Sequence, residues 1–178
     1  MREEELALLT SPQLRRSEAE YFCSQFLKAC GPPDSYFKMI SYFDAFLFTL
    51  VSIEEIVDET KKAALRGNDT FRFVKALRNV TAHHSILASS QQDSKFVRPL
   101  RREIKAGLGI SGIDEGRLSI NFTRFREIFN AVQAERPGEI HTLEAARKYL
   151  DHLETQPQPI YIAQVLQHAL SEVAQIVA

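Results

Sequence analysis

The spacing of apolar residues predicts helices along most of the chain. From residue 12 to residue 30 they recur at steps of three and four, behind Ser11 and Pro12, a pair typical of an N-cap and a first helical turn. A second apolar run starts at Ser35 and predicts one long helix that stops at Gly67-Asn68. Its apolar residues cover much of the circumference, so we expect a central helix that packs on several sides.

Further elements follow this helix pair. Asp69 or Thr70 can cap a third helix, and two later helices have Thr123 and Thr142 as candidate N-caps. Between the third helix and these later ones, apolar and polar residues alternate, which predicts a small β-hairpin near residues 107–122.

Together these elements predict a mainly α fold: an antiparallel helical bundle with a small β-hairpin inserted. We expect a single domain over residues 1–178, in which 34–90 form the core helix pair and 97–178 supply the hairpin and the C-terminal helices. The last helix carries a heptad-like seam from Ala163 to Val177. The seam is shorter than three heptads, so we expect it to pack on the bundle.

The composition of the chain excludes a disordered or a collagen-like protein. With 44% hydrophobic and 25% charged residues, the chain is typical of a folded globular protein. The 22 Lys and Arg residues and 23 Asp and Glu residues nearly cancel, so binding of nucleic acid would require a local basic patch.

Cysteine spacing and the N-terminus indicate the compartment. Cys23 and Cys30 would lie roughly 10 Å apart on one helix, too far for a disulfide, so we expect reduced core residues. The acidic start of the chain lacks the pattern of a secretory signal, and no apolar stretch suits a membrane span. We therefore expect a cytoplasmic protein that does not associate with membranes.

One short motif in the third helix suggests a function. Arg78 is followed by the polar Asn79 and, after a short gap, by His83. This arrangement resembles the signature of the HEPN domain family, and the resemblance covers about Ser35 to Ser90. It implies an all-α bundle and a metal-independent ribonuclease that acts as a homodimer without a cofactor. In that interpretation His83 is the acid or base, Arg78 binds phosphate, and the product carries a 2′,3′-cyclic phosphate.

Helix geometry also requires two copies of the motif. Metal-free RNA cleavage needs a base, an acid and a cation that offsets charge at phosphorus. Arg78 and His83 are five residues apart, which separates them by roughly 140° and about 7.5 Å on a helix. They make no compact site in one chain, but a two-fold interface along this helix would gather two of each. Asn79 shares a face with His83 and could orient its ring or contact the substrate.

Other residues are candidates for supporting roles. His84 also fits the spacing rule, although a hydrogen-bonded core histidine is the alternative. Asp44 lies in an apolar stretch and needs a partner if buried, for which Arg78 is a candidate. Glu55 and Asp58, further along the same predicted helix, are alternatives for the polar residue that accompanies the motif.

Four basic residues form a last candidate site, for contacts with an RNA backbone. Arg98, Arg101, Arg102 and Lys105 could track an RNA backbone or form a solvated helix face. The sequence has no paired metal-ligand motif, P-loop or dinucleotide fingerprint, so we expect neither a metal nor a cofactor.

The sequence thus leaves two hypotheses. One is a HEPN-like metal-independent endoribonuclease of the toxin or defence type, with a composite site at a homodimer interface. Its partners would be RNA and an antitoxin or other protein. The alternative is a non-catalytic helical binding module that uses the same dimer cleft.

Overall fold

The computed structural model describes residues 11–30, 36–83, 110–114 and 117–178. These residues are mainly helical, as predicted from the apolar periodicity. The α-helices in these ranges are Pro12–Ala29 (α1), Tyr36–Ile56 (α2), Glu59–Gly67 (α3), Asp69–His83 (α4), Phe122–Glu135 (α5), Ile140–Glu154 (α6) and Ile162–Val177 (α7). A short 3₁₀ turn, Pro137–Glu139, joins α5 to α6.

Helix α1 begins where the sequence predicts. The Ser11 hydroxyl accepts a hydrogen bond from the Leu14 amide at 3.1 Å, so it is the N-cap. Cys23 and Cys30 are buried free thiols, as expected. Burial raises the pKa of Cys23 to about 11 and that of Cys30 to about 12, which makes both thiols poor nucleophiles.

The prediction of one helix from Ser35 to Gly67 is wrong. Helix α2 ends at Ile56, and α3 starts three residues later, at Glu59. The Asp58 carboxylate accepts a hydrogen bond from the Lys61 amide at 2.9 Å and so caps the new helix. Because this carboxylate satisfies an otherwise free helix N–H, the chain can break here at little cost.

Three predicted N-caps are also wrong. At the start of α4 the Asn68 side chain, rather than Asp69 or Thr70, accepts the hydrogen bond from the Phe71 amide at 2.7 Å. Thr123 and Thr142 lie inside the first turns of α5 and α6. Their residue type suits a cap, but each helix starts earlier than its threonine. In α6 the reason is the 3₁₀ turn, which leads directly into the helix.

Two short strands precede α5. Ile110–Asp114 (β1) and Arg117–Ile120 (β2) pair antiparallel, with a register shift between Ser111 and Ile113. The Ile120 amide donates to the Ile160 carbonyl at 2.8 Å, so β2 is joined to the segment before α7. Residues 107–109 and 115–116 of the predicted hairpin interval lie outside the described residues.

The buried apolar residues form one cluster to which every helix contributes. Helix α2 packs on α1 and α4, and α4 also packs on α6 and α7. Phe73 of α4 lies at the centre of an aromatic group, with ring centroids 6.0, 6.4 and 5.2 Å from those of Phe125, Phe129 and Tyr149. Helix α4 is therefore enclosed by neighbours on several sides.

Helix α7 packs on the bundle, as its seam predicts. Leu166, Val173 and Val177 of the seam are fully buried, whereas Ala163 and Leu170 are only half-buried. In the described ranges no helix combines the length and apolarity that crossing a bilayer requires.

Candidate functional site

A buried carboxylate links three helices at the surface of the bundle. Glu54 of α2 is 5% exposed and accepts hydrogen bonds from Arg66 Nε of α3 at 2.7 Å and Lys75 Nζ of α4 at 2.5 Å. Burial opposes ionisation of this carboxyl group, but the hydrogen bonds from Lys75 and Arg66 outweigh it and lower the pKa of Glu54 below its usual value. Glu54 is therefore an ionised anchor that holds two cations in place.

Helix α3 is held in position by contacts with α7. Lys61 Nζ donates to the carbonyl of Val177 at 3.0 Å, and Asn68 Nδ2 donates to Glu172 at 3.0 Å. These two contacts lie near opposite ends of α3. They orient the short helix so that Arg66 points toward α2 and α4.

A polar cleft of about 420 Å³ opens beside Glu54. We call it the basic cleft, and its lining residues are Val51, Glu54, Glu55, Lys62, Arg66, Lys75 and Arg78. Four cations face two carboxylates here, although the whole protein carries a formal charge of −1. Lys62 also pairs with the exposed Glu59 at 2.7 Å, a surface contact of little strength. The cleft is thus a local patch with excess positive charge.

Arg78 contributes a guanidinium group to the wall of the basic cleft. Its Nε is buried and has no hydrogen-bond partner among the described residues. Its Cζ lies 5.6 Å from the ring centroid of Phe48, which is 46% exposed. The ring supports the guanidinium by a cation–π contact and supplies no acceptor. A buried N–H without an acceptor is costly, and the Arg78 side chain also lines the cleft.

The predicted pair between Asp44 and Arg78 is not present in the described part of the structure. Helices α2 and α4 run antiparallel, since Glu54 contacts Lys75 whereas the earlier Phe48 lies under Arg78. Asp44 precedes Phe48 by four residues, about 6 Å along the helix axis, and so lies beyond the level of Arg78. Its Oδ1 is buried without a hydrogen-bond partner among the described residues, and burial raises the pKa of Asp44 to about 6.

Asn79 faces away from the basic cleft. Its Nδ2 donates to Glu139 Oε2 at 2.9 Å, which ties α4 to the turn between α5 and α6. Arg78 instead lies over Phe48 of α2, as expected for neighbours that differ by about 100° around a helix. The structure therefore does not bring Arg78 and Asn79 together.

The remaining predicted site residues have different positions, and several lie outside the described residues. Glu55 is exposed and lines the basic cleft with Arg78, whereas Asp58 caps α3 and does not line it. His83 is the last residue of α4, and only its backbone is described. His84 lies outside the described residues, as do Arg98, Arg101, Arg102 and Lys105.

Sequence reasoning missed Glu54, Lys62, Arg66 and Lys75. A signal for one of them was present, because Lys75 precedes Arg78 by three residues and lies on the neighbouring part of the same helix face. Arg66 and Lys62 gave no such signal. The sequence predicted one continuous helix from Ser35 to Gly67, and in such a helix neither residue would lie near α4. In the described part of the chain, no group of three His, Cys, Asp or Glu side chains could hold a metal ion.

Comparison with models of protein families, with curated proteins and with solved structures gives no match. The geometry of the basic cleft is therefore the basis for assigning a function.

Proposed function

We propose that the protein is a HEPN-like, metal-independent endoribonuclease that binds the RNA backbone in the basic cleft and forms its catalytic site at a homodimer interface. Arg78 carries this proposal, because its Nε is buried without a partner among the described residues. Three further cations line the same cleft. The planar guanidinium fork matches the geometry of phosphate oxygens.

The chemistry follows from the two residue types of the motif. The RNA 2′-oxygen attacks phosphorus while a base removes its proton, and the bond to the 5′-oxygen breaks as an acid protonates that oxygen. The products are a 2′,3′-cyclic phosphate and a 5′-hydroxyl. His83 from the two subunits supplies the base and the acid, and Arg78 offsets the charge that develops on the phosphoryl oxygens. No metal takes part in this scheme.

The dimer is required by the position of the motif. His83 ends α4 and lies five residues beyond Arg78, about 7.5 Å along the helix axis. A two-fold axis beside this part of α4 would place His83 of each subunit near Arg78 of the partner subunit. Asn79 then acts as a positioning residue, since its hydrogen bond to Glu139 fixes the turn against the His83 face of α4.

The test is a ribonuclease assay on mixed cellular RNA with EDTA present. Wild type should cleave, and the Arg78→Ala/His83→Ala double variant should not, although its circular dichroism matches wild type. Arg15→Ala is the control, because Arg15 is a half-exposed arginine of α1 that lies outside the basic cleft. Cleavage by the double variant would refute the catalytic assignment. A strict monomer at micromolar concentration in light scattering would refute the composite site.

The second candidate function is a non-catalytic binding module that uses the same cleft. The contacts of Arg78 and Asn79 favour it, because Arg78 lies over Phe48 whereas Asn79 bonds to Glu139, so that the two residues of the motif contact different neighbours. This alternative predicts that RNA or another polyanion binds without being cut, and that Arg78→Ala weakens its binding. If the protein is a toxin, a partner such as an antitoxin would have to cover the basic cleft, and acidic side chains would suit that role.

A further inference from the structure

A second, smaller cavity adjoins the basic cleft. It measures about 190 Å³ and is lined by Arg66, Phe71, Arg72, Lys75, His141 and Thr142. Arg66 and Lys75 line both cavities, so the positive surface continues from one to the other. We call this second cavity the α6 pocket, because His141 and Thr142 come from the first turn of that helix.

Glu54 holds Arg66 and Lys75 at the boundary between the basic cleft and the α6 pocket. It binds Arg66 through Nε alone, and the terminal nitrogens of Arg66 have no hydrogen-bond partner among the described residues. The Arg66 side chain is 60% exposed, so these nitrogens are accessible to a ligand. Lys75 uses one hydrogen bond for Glu54, and an ammonium group has two further donors. Both side chains are thus oriented and still able to bind an anion.

The cations of α4 turn gradually around the helix. Arg72, Lys75 and Arg78 recur at intervals of three residues, so each is turned by about 60° from the one before, and Arg72 lies about 9 Å from Arg78 along the helix axis. Arg72 contacts the exposed Asp69 at 3.5 Å, a weak surface pair that leaves its guanidinium available. On the opposite wall, His141 lies 3.9 Å from Glu144 and is almost fully exposed. The row of charges is longer than one phosphate group.

We propose that the basic cleft and the α6 pocket are neighbouring phosphate subsites for one nucleic-acid strand. Arg78 contacts a phosphate in the basic cleft, Arg72 contacts the adjacent phosphate in the α6 pocket, and Arg66 and Lys75 lie between the two. This inference rests on the proposed function and adds that the ligand is a chain with consecutive phosphates. A ligand with one phosphate would leave one subsite empty and bind more weakly.

The experiment measures binding of a fluorescent single strand of 2′-O-methyl RNA by fluorescence anisotropy at several salt concentrations. The methyl group blocks the attacking 2′-oxygen, so binding is measured without cleavage. Arg72→Gln and Arg78→Gln should each weaken binding about tenfold, the equivalent of one charge-assisted hydrogen bond. Each should also reduce the slope of log affinity against log salt by about 0.7, as expected for one lost phosphate contact on a single strand.

Arg15→Gln is a matched control. Arg15 is 41% exposed and pairs with Glu18 three residues later, much as the 40% exposed Arg72 pairs with Asp69 three residues earlier. Arg15 lines neither cavity, so its variant should bind like wild type.

The outcomes separate this inference from the proposed function. If Arg78→Gln weakens binding and Arg72→Gln does not, the two-subsite inference is overturned while RNA binding in the basic cleft stands. If wild type does not bind the strand, or if neither variant differs from Arg15→Gln, both proposals are overturned. If both variants weaken binding but wild type cleaves no unmodified RNA, the two subsites stand and the catalytic assignment is refuted.

Discussion

Replacing Asp44 by Asn should stabilise the protein at neutral pH and not in acid. Asp44 is half-buried, and its Oδ1 has no hydrogen-bond partner among the described residues. Burial raises its pKa from 3.8 to about 6 in the folded protein. Ionisation is therefore harder in the folded state than in the unfolded state, and the wild-type carboxylate lowers stability wherever it is charged.

The magnitude follows from the pKa difference. About two pKa units correspond to at most about 3 kcal/mol at 1.36 kcal/mol each. Solvent screens a half-buried group, so we expect a gain of about 1–2 kcal/mol for Asp44→Asn. Well below pH 3.8 the carboxyl group is protonated in both states and the penalty is absent. The penalty grows as the pH rises from about 4 to about 6 and is constant above that range.

Urea unfolding followed by far-UV circular dichroism measures this effect, since the chain has no tryptophan to report on it. The comparison is the free energy of unfolding of Asp44→Asn minus that of wild type, at about pH 4 and at about pH 7. Asp69→Asn, at an exposed carboxylate, is the control. A gain of equal size at both pH values would show that the charge of Asp44 is not the cause, and a loss at neutral pH would show that Asp44 has an ionic partner; either result would refute the reasoning.

Three further predictions concern stability and the basic cleft. Glu54→Gln should destabilise the protein by about 2 kcal/mol in urea unfolding, because it leaves Arg66 and Lys75 without a carboxylate; unchanged stability would contradict its role as an anchor. Phe73→Ala should cost about 3–5 kcal/mol, because the fully buried ring contacts three others, and a loss below about 1 kcal/mol would contradict this packing. Ser11→Ala should cost about 1 kcal/mol through loss of the α1 cap, whereas Ser11→Asp should retain the stability of wild type in thermal unfolding.

Local patterns predicted much of the helical structure. The cap of α1, the burial of both cysteines and the packing of α7 on the bundle depend on residues within a few turns of one another. Periodicity reports such properties well, because one face of a helix must be apolar to be buried. The same reasoning failed at helix boundaries, where several residues can cap and tertiary contacts select one of them. Asn68 caps α4 and also donates to Glu172 of α7, a contact that no local pattern indicates.

By itself the sequence determined the helical class, the short motif and the position of Arg78 on a helix beside a long apolar one. Only the tertiary structure decided what surrounds Arg78. The break at Asp58 turns α3 back, so that Arg66 reaches Glu54 from twelve residues away and Lys75 reaches it from twenty-one. In the sequence, Glu54 looks like any other polar residue within an apolar helix. Charges act through space rather than along the chain, and these meet only after three helices have packed.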